Sequence, residues 1–73
     1  MIISEKISLL RRQRGMSQEQ LAFALDVSRQ TVSKWENGIS VPDAEMLIKI
    51  AEVLDSTVNI LLGEQVIIEE ETE

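Results

Sequence analysis

The sequence predicts an all-α fold, a compact five-helix bundle that contains a helix-turn-helix. Apolar residues recur at the three- and four-residue spacing of amphipathic helices in five successive segments. Side chains that commonly begin helices precede four of these segments: Ser17, Ser28, Asp43 and Thr57. Because isolated helices shorter than about 12–15 residues are marginally stable in water, we expect one shared core to hold the segments together.

The first two helices have recognisable start and stop signals. Helix one is expected from about Ser4 to Arg14, and Gly15 supplies the left-handed residue that commonly ends a helix. Its buried stripe follows the i, i+4, i+7 pattern: Ile3, Ile7 and Leu10. Ser17 and Gln20 form a capping-box pattern at the start of helix two. Three residues form the expected buried face of helix two: Leu21, Ala22 and Leu25.

Helix three follows a tight turn. It is expected to begin after Ser28 and to end at the turn dipeptide Asn37-Gly38. Trp35 lies beside Val32 at the inner spacing of this helix, so we interpret it as a core residue rather than a base-stacking one. A helix-turn-helix also needs a small residue where the helices approach and an apolar residue in the turn, and two residues meet these needs: Ala22 and Val27.

The last two helices follow a second loop. Pro42 and Asp43 favour the start of helix four, which is expected to run to about Leu54. Its inner face is expected to hold Ala44, Leu47, Ala51 and Leu54, with Ile48 and Ile50 at its flanks. Thr57 is expected to cap a short final helix that runs through Leu62. The expected buried residues of this helix are Val58, Leu61 and Leu62.

The composition excludes several classes of function. The 73 residues include no cysteine and no histidine, so we expect no metal, no cofactor and no nucleophile–base pair of an enzyme. The longest uncharged apolar stretch is far shorter than the roughly 20 residues needed to cross a bilayer. The start MIISEKISLL does not resemble a secretory signal. A cytoplasmic protein that does not contact the membrane is therefore expected.

The net charge of −6 is distributed unevenly. Residues 1–40 hold six basic and four acidic groups, a balance of +2, whereas residues 41–73 hold one basic and nine acidic groups, a balance of −8. A chain polarised in this way can present its basic end to DNA and keep its acidic end away from it. Since few cations can release counterions, we expect weak non-specific affinity.

The outward face of helix three carries polar side chains suited to reading DNA: Arg29, Gln30, Ser33 and Lys34. The first turns of the second helix in a helix-turn-helix reach base edges in the major groove. Arginine matches the O6/N7 pair of guanine and glutamine matches N6/N7 of adenine, each two-point contact discriminating by ~1–3 kcal/mol. Polar residues on exposed helices are usually only solvated, but their position in this motif favours DNA contact.

The span from Ile3 to about Leu62 resembles the phage-repressor/Cro-type helix-turn-helix family, also called XRE-type. The matching stretches are GMSQEQLAFALDVSRQTVSKWENGISVPD and AEVLDSTVNILL. The resemblance implies a five-helix, lambda-repressor-like DNA-binding domain that binds double-stranded operator DNA as a dimer, usually as a transcriptional repressor.

The resemblance also implies roles for single residues. The base-reading positions fall on Arg29, Gln30, Ser33 and Lys34, and the positions that contact the DNA backbone fall on Gln18, Ser28, Asn37, Gly38 and Ser40. Arg11 and Glu36 match a pair that in relatives forms an ion pair between helix one and the end of helix three. Gln18 is also a common type of first-turn residue without any ligand. The turn residue, often glycine in the family, is Asp26, for which we expect a small stability cost.

Apolar residues beyond the needs of a five-helix core suggest an interface: Phe23, Met46, Ile60, Val66, Ile67 and Ile68. The best candidates for a homodimer contact are Ile60, Val66, Ile67 and Ile68. Residues 1–63 are expected to form the helix-turn-helix domain and residues 64–73 an acidic C-terminal tail. This tail can pair as a strand with a symmetry mate, be disordered, or lead into a further domain, and the sequence leaves these alternatives open.

Two hypotheses for function follow. The first is a sequence-specific transcription regulator, a dimer that blocks a promoter at a pseudo-palindromic operator. The alternative is a protein-interaction module, such as the antitoxin of a toxin–antitoxin pair, whose acidic tail covers a basic protein partner. Members of the family that this chain resembles often combine DNA binding with such a protein interaction.

Overall fold

The fold is a bundle of short α-helices, seen in a computed structural model that describes residues 2–63. The helices in chain order are α1 (Ile2–Gln13), α2 (Gln18–Leu25), α3 (Arg29–Glu36), α4 (Ala44–Val53) and α5 (Val58–Leu61). Within these residues there is no strand. The helix α3 packs against α1 and α2, and α4 packs against α2 and α5. The predicted all-α, five-helix bundle is confirmed.

Side-chain caps start four of the helices at the predicted residues. At α2, Gln20 N donates to Ser17 Oγ at 3.0 Å and Ser17 N donates to Gln20 Oε1 at 2.8 Å, which completes the capping box. Three further N-caps accept a hydrogen bond from the backbone three residues later: Ser28, Asp43 and Thr57. Each cap satisfies a backbone N–H that the helix itself leaves without a partner. The local sequence therefore sets where these helices begin.

The core joins all five helices, and its buried members are Ile7, Leu21, Ala22, Leu25, Val32, Trp35, Leu47, Ile50, Ala51, Leu54 and Leu61. Half-buried side chains pack around it: Ile3, Leu10, Met16, Val27, Met46, Val53 and Val58. The predicted inner faces of α1, α2 and α3 are confirmed. The inner face of α3 matters for function, because burying Val32 and Trp35 turns the opposite face of the helix outward.

The predicted inner faces of α4 and α5 need correction. Ala44 is exposed because it is the first residue of α4, directly after the cap, whereas Ile50 is fully buried and belongs to the centre of the inner face. Leu62 is 41% exposed, since it follows the last turn of α5. The predicted span of α1 is also shifted, and Ser4, which the apolar pattern passes over, is buried.

The apolar residues predicted to exceed the core have different environments. Phe23 is 89% exposed, Met46 packs against the core, and Ile60 is half-buried. The other dimer candidates, Val66, Ile67 and Ile68, lie outside the described residues, as does the tail of residues 64–73. The boundary between domain and tail therefore stays a prediction.

The turn between α2 and α3 depends on one left-handed residue. Asp26 has φ 60° and ψ 43°, and its N–H donates to the Phe23 carbonyl at 3.2 Å. Val27 N donates to the Ala22 carbonyl at 3.0 Å. These two bonds form the Schellman motif, in which glycine usually occupies the left-handed position. The left-handed backbone of Asp26 agrees with its expected turn position, and the small stability cost expected there stays a prediction.

Replacing Asp26 with Gly is expected to raise the free energy of unfolding by about 0.5 kcal/mol. Glycine removes the left-handed strain, and its larger entropy in the unfolded chain offsets part of that gain. Asp26→Ala is the matched control, because it keeps a Cβ and loses the polar group, and it should lower stability. Urea unfolding of both variants tests this expectation, which a stabilising Asp26→Ala would contradict.

Candidate nucleic-acid interface

The outward face of α3 presents a cluster of polar side chains. Arg29, Gln30 and Lys34 are exposed and Ser33 is half-buried. They occupy the i, i+1, i+4 and i+5 positions of one eight-residue helix, so they share the face opposite the buried residues. Two of the four are cations and two carry neutral hydrogen-bonding groups. Such a face can contact both phosphates and base edges.

The ends of α3 place the residues expected to touch a DNA backbone. At the start, Ser28 Oγ accepts from Thr31 N at 3.2 Å and lies 3.0 Å from the Thr31 hydroxyl oxygen. At the end, Asn37 Nδ2 donates to the Ser33 carbonyl at 2.9 Å and to Ser33 Oγ at 3.2 Å. These bonds commit part of each polar group to the helix itself. A role of Ser28 and Asn37 toward DNA stays a prediction.

The loop after α3 leaves the helix through a left-handed glycine. Gly38 has φ 73°, and its N–H donates to the Trp35 carbonyl at 3.2 Å. Ile39 N donates to the Lys34 carbonyl at 2.9 Å, which completes a second Schellman motif. Ser40 is exposed in the following loop. The sequence resemblance implies that Gly38 and Ser40 contact the DNA backbone. The left-handed conformation at position 38 is by itself a sufficient reason for a glycine there.

An ion pair fixes the end of α3 to α1. Arg11 Nε donates to Glu36 Oε2 at 2.6 Å and Arg11 Nη2 donates to Glu36 Oε1 at 3.0 Å. The side chains are only 12% and 6% exposed, and Arg11 Nη1 also donates to the Met16 carbonyl at 2.7 Å. This two-point geometry is the strong form of a charged hydrogen bond. It holds α3 in place without using any group on its outward face.

The carboxylate of Glu36 has a third contact, which the sequence did not predict. Gln18 Nε2 donates to Glu36 Oε1 at 3.0 Å, and Gln18 Oε1 accepts from Arg29 Nη1 at 3.4 Å. The side chain of Gln18 therefore connects the end of α3 with its start. The partners lie 18 and 11 residues away in sequence. Only the packing of α2 on α3 brings them together, so no local pattern could have found them.

The environment of Glu36 lowers its pKa. Burial alone raises the pKa of this carboxyl group, but hydrogen bonds from Arg11 and Gln18 and the positive charge of Arg11 outweigh burial and hold the pKa below its ordinary value of 4.5. The ionised form is therefore the one that the fold stabilises.

Acid is expected to remove this stabilisation. Because the pKa of Glu36 is lower in the folded than in the unfolded chain, its contribution to stability is complete above pH 4.5 and is lost as the pH falls through the folded value. Urea unfolding of the wild type and of Glu36→Gln over this acid range measures it. The difference in unfolding free energy between the two proteins should shrink on acidification. A difference that stays constant with pH would contradict the assignment.

Two other kinds of feature are absent from the part of the chain that the structure describes. No group of side chains there could hold a metal ion. None of its helices has the length and apolar character needed to cross a bilayer.

Comparison with known proteins identifies relatives of this arrangement. A family model described as helix-turn-helix matches residues 7–61. The chain is 43% identical to the HTH-type transcriptional activator BcrR of Enterococcus faecalis over 74 residues, which cover 100% of this chain and 36% of BcrR. The chain spans less than half the length of the first curated relatives it matches.

Solved structures share the fold. A crystal structure of SinR, described as the master regulator for biofilm formation, in complex with DNA has a TM-score of 0.77 and 31% identity, and covers 82% of this chain and 97% of that chain. The solution structure of the DNA-binding domain of the P22 c2 repressor has a TM-score of 0.81 and 26% identity, and covers 85% of this chain and 82% of that chain.

These three proteins are described as a transcriptional activator, a master regulator in complex with DNA, and a repressor with a DNA-binding domain. None of these descriptions names an enzyme or favours a toxin–antitoxin pair. The family match includes α1 from Ile7 onward, the whole of the other four helices, and both sides of the turn at Asp26. The chain therefore belongs to the phage-repressor/Cro-type (XRE-type) helix-turn-helix family.

Proposed function

We propose that this chain binds double-stranded DNA in a sequence-specific manner and regulates transcription. The observation that carries the proposal is the polar outward face of α3 on a helix whose other face is buried and whose end is fixed by an ion pair. A helix held in this way can enter a major groove as a rigid unit, so its side chains meet base edges in a fixed register. The names of the relatives support the same role.

The proposed contacts divide into two groups. Arg29 and Gln30 read base edges, with Ser33 and Lys34 reaching an adjacent base or phosphate. The second group contacts the DNA backbone: Gln18, Ser28, Asn37, Gly38 and Ser40. The first group sets sequence preference and the second sets orientation and affinity.

The proposed assembly is a homodimer. Two copies of α3 would enter successive major grooves about 34 Å apart and would require a pseudo-palindromic operator. Ile60 is half-buried on the short helix α5 and remains a candidate for the dimer contact. We propose that this domain acts in the cytoplasm, where it has access to DNA.

The sign of regulation depends on where the operator lies. One relative is named an activator and one structural neighbour a repressor, so family membership does not determine the sign. We propose repression where the operator overlaps a promoter, because a bound dimer then excludes polymerase from the same stretch of duplex.

Selection of sites from a pool of random duplexes tests the proposal, with light scattering to give the mass of the free and bound protein. We expect enrichment of one two-fold symmetric site and the mass of two chains on it. Failure to enrich any site would contradict sequence-specific DNA binding. The mass of a single chain on the selected site would contradict the proposed homodimer.

Replacing Arg29 with Ala is expected to reduce discrimination at one base pair of each half-site by about 5- to 160-fold, the equivalent of one lost two-point contact. Lys49→Ala is the matched control, since it removes one exposed cation from α4. Lys49→Ala should leave the base preference unchanged and should change the affinity for DNA very little. Competition binding with duplexes changed at single positions measures both effects. Equal loss of affinity for every duplex in Arg29→Ala would show that Arg29 contacts only phosphate.

A further inference from the structure

Asn37 and Gly38 form the one asparagine–glycine pair of the chain, and they lie where α3 ends. A backbone nitrogen attacks the preceding asparagine side chain most readily when it belongs to glycine, which has no Cβ to crowd the approach. The Asn37 side chain is exposed, so water reaches it. The other asparagine of the chain, Asn59, precedes the branched Ile60 and is a much poorer candidate for this reaction.

The reaction open to this pair is deamidation through a succinimide ring. The Gly38 backbone nitrogen attacks Cγ of Asn37. An N–Cγ bond forms, the Cγ–Nδ2 bond breaks, and the NH₂ group leaves as ammonia with the proton of the Gly38 N–H. Water then adds its hydroxyl to one of the two ring carbonyl carbons and its proton to the ring nitrogen, which leaves aspartate or isoaspartate at position 37. In the net reaction, one amide and one water become one carboxylate and one ammonium ion.

The fold holds both reacting groups on other partners. Nδ2 of Asn37 donates to the Ser33 carbonyl at 2.9 Å and to Ser33 Oγ at 3.2 Å, which draws the side-chain amide back along α3. The Gly38 N–H donates to the Trp35 carbonyl at 3.2 Å. Ring closure requires both groups to leave these partners. The reaction therefore needs the end of α3 to open.

The ion pair of Arg11 and Glu36 opposes this opening. Glu36 is the last residue of α3 and directly precedes Asn37. Its carboxylate accepts two hydrogen bonds from Arg11 on α1, and both side chains are almost fully buried. Helix ends open locally at a lower free-energy cost than global unfolding. An anchor between this end and α1 raises that cost.

We propose that Asn37 is a deamidation site that is closed while the end of α3 is anchored and that reacts when this end opens. The product replaces an NH₂ donor with a carboxylate beside the Ser33 carbonyl, at the C-terminal end of a helix, where negative charge is unfavourable. The consequence for DNA rests on the proposed function: the new carboxylate repels the phosphates that position 37 is proposed to contact. Deamidation thus limits the active lifetime of each copy of the chain.

The first test needs no DNA. The full chain is kept at neutral pH in buffer and in guanidinium chloride, and the tryptic peptide 35–49, which holds Asn37 and lacks Asn59, is analysed by mass spectrometry and chromatography for asparagine, aspartate and isoaspartate. Minor conformations are typically about 0.1–10% populated, so conversion in buffer is expected to be about 10- to 1,000-fold slower. Asn59 should convert far more slowly than Asn37 in guanidinium chloride. Equal rates for Asn37 in both solutions, or no conversion in guanidinium chloride, would overturn the inference.

Two variants test the role of the ion pair. Glu36→Gln removes the charge that strengthens the bonds from Arg11, so deamidation in buffer is expected to accelerate by about fivefold. Thr57→Ala is the matched control, because it removes the cap of α5 and lowers global stability from a different helix. It should leave the rate at Asn37 unchanged. Each rate is divided by that of the same variant in guanidinium chloride, which corrects for intrinsic reactivity.

Equal acceleration in both variants would show that global unfolding exposes Asn37, and would overturn the gating by the end of α3. Circular dichroism shows whether Glu36→Gln folds. If it does not fold, Ser33→Ala takes its place, because it removes only the Oγ acceptor of Asn37 and should also accelerate the reaction. An unchanged rate in Ser33→Ala would then count against the inference.

The consequence for DNA is measured separately, with Asn37→Asp as a stable copy of one product. Its affinity for the selected duplex is expected to fall by at least about tenfold, the equivalent of one lost hydrogen bond to a charged group. Asn59→Asp is the matched control, because it adds the same charge on α5, and it should bind almost as the wild type does. Unchanged affinity in Asn37→Asp would overturn the inactivation. Failure of the wild type to select any site would overturn the proposed function and the inactivation, whereas the rates without DNA still decide the deamidation site.

Discussion

Replacing Arg11 with Ala is expected to lower the free energy of unfolding by about 3–5 kcal/mol, the usual cost of leaving one member of a buried ion pair without its partner. The Glu36 side chain is only 6% exposed and would lose two of its three hydrogen-bond donors. The Met16 carbonyl would lose its bond from Arg11 as well. Urea unfolding followed by the fluorescence of Trp35, the one tryptophan of the chain, measures the change.

An apolar replacement of both partners is the matched control. Arg11→Met combined with Glu36→Leu removes both charges and keeps most of the volume, so it should cost far less than Arg11→Ala alone. The variant would also leave Gln18 without its acceptor. If the double variant is as unstable as Arg11→Ala, the loss comes from packing or from the Met16 carbonyl rather than from an unpaired carboxylate.

Replacing Trp35 with Ala is expected to cost about 3–5 kcal/mol, as for other large aromatic residues removed from a core. Trp35 is 5% exposed and lies in the core cluster that joins the helices. Since this variant removes the fluorescent reporter, circular dichroism should follow its unfolding. A small domain has little stability to lose, so the variant should be largely unfolded at physiological temperature.

Trp35→Phe separates a core role from a base-stacking role. It keeps an apolar ring in the core and should cost less than Trp35→Ala. Because the indole faces inward, Trp35→Phe should keep the base preference of the wild type. A change of preference in Trp35→Phe with unchanged stability would contradict the interpretation of Trp35 as a core residue.

The sequence predicted the fold because its signals are local. Capping residues act within three residues along the chain, and the structure shows those bonds at Ser17, Ser28 and Asp43. The inner faces of α2 and α3 follow from helical periodicity alone. The left-handed turn at Asp26 was placed by the family resemblance, and its backbone angles agree.

The errors concern which residues of α4 face the core and which side chains meet between helices. Periodicity places Ala44 on the inner face of α4, but the cap at Asp43 makes it a first-turn residue that faces solvent. Ile50 is expected at the flank, but it lies three residues after Leu47 and four before Leu54, so it shares their inner face and is fully buried. The contact from Gln18 to Glu36 joins different helices, so only their relative position could reveal it.

The length of α3 limits how much information one copy of the chain can read. Its eight residues rise by about 12 Å at 1.5 Å each, which spans roughly three to four base-pair steps of 3.4 Å. A given sequence of four base pairs recurs by chance about once in 256 positions, and genomes offer about 10⁶–10⁹ competing positions. A single copy would thus meet thousands to millions of equivalent sequences. Two copies at a fixed separation read two such sequences at once, so the chance frequency of the combined site is the square of the frequency for one copy. Dimerisation is therefore what would make the complete binding site rare.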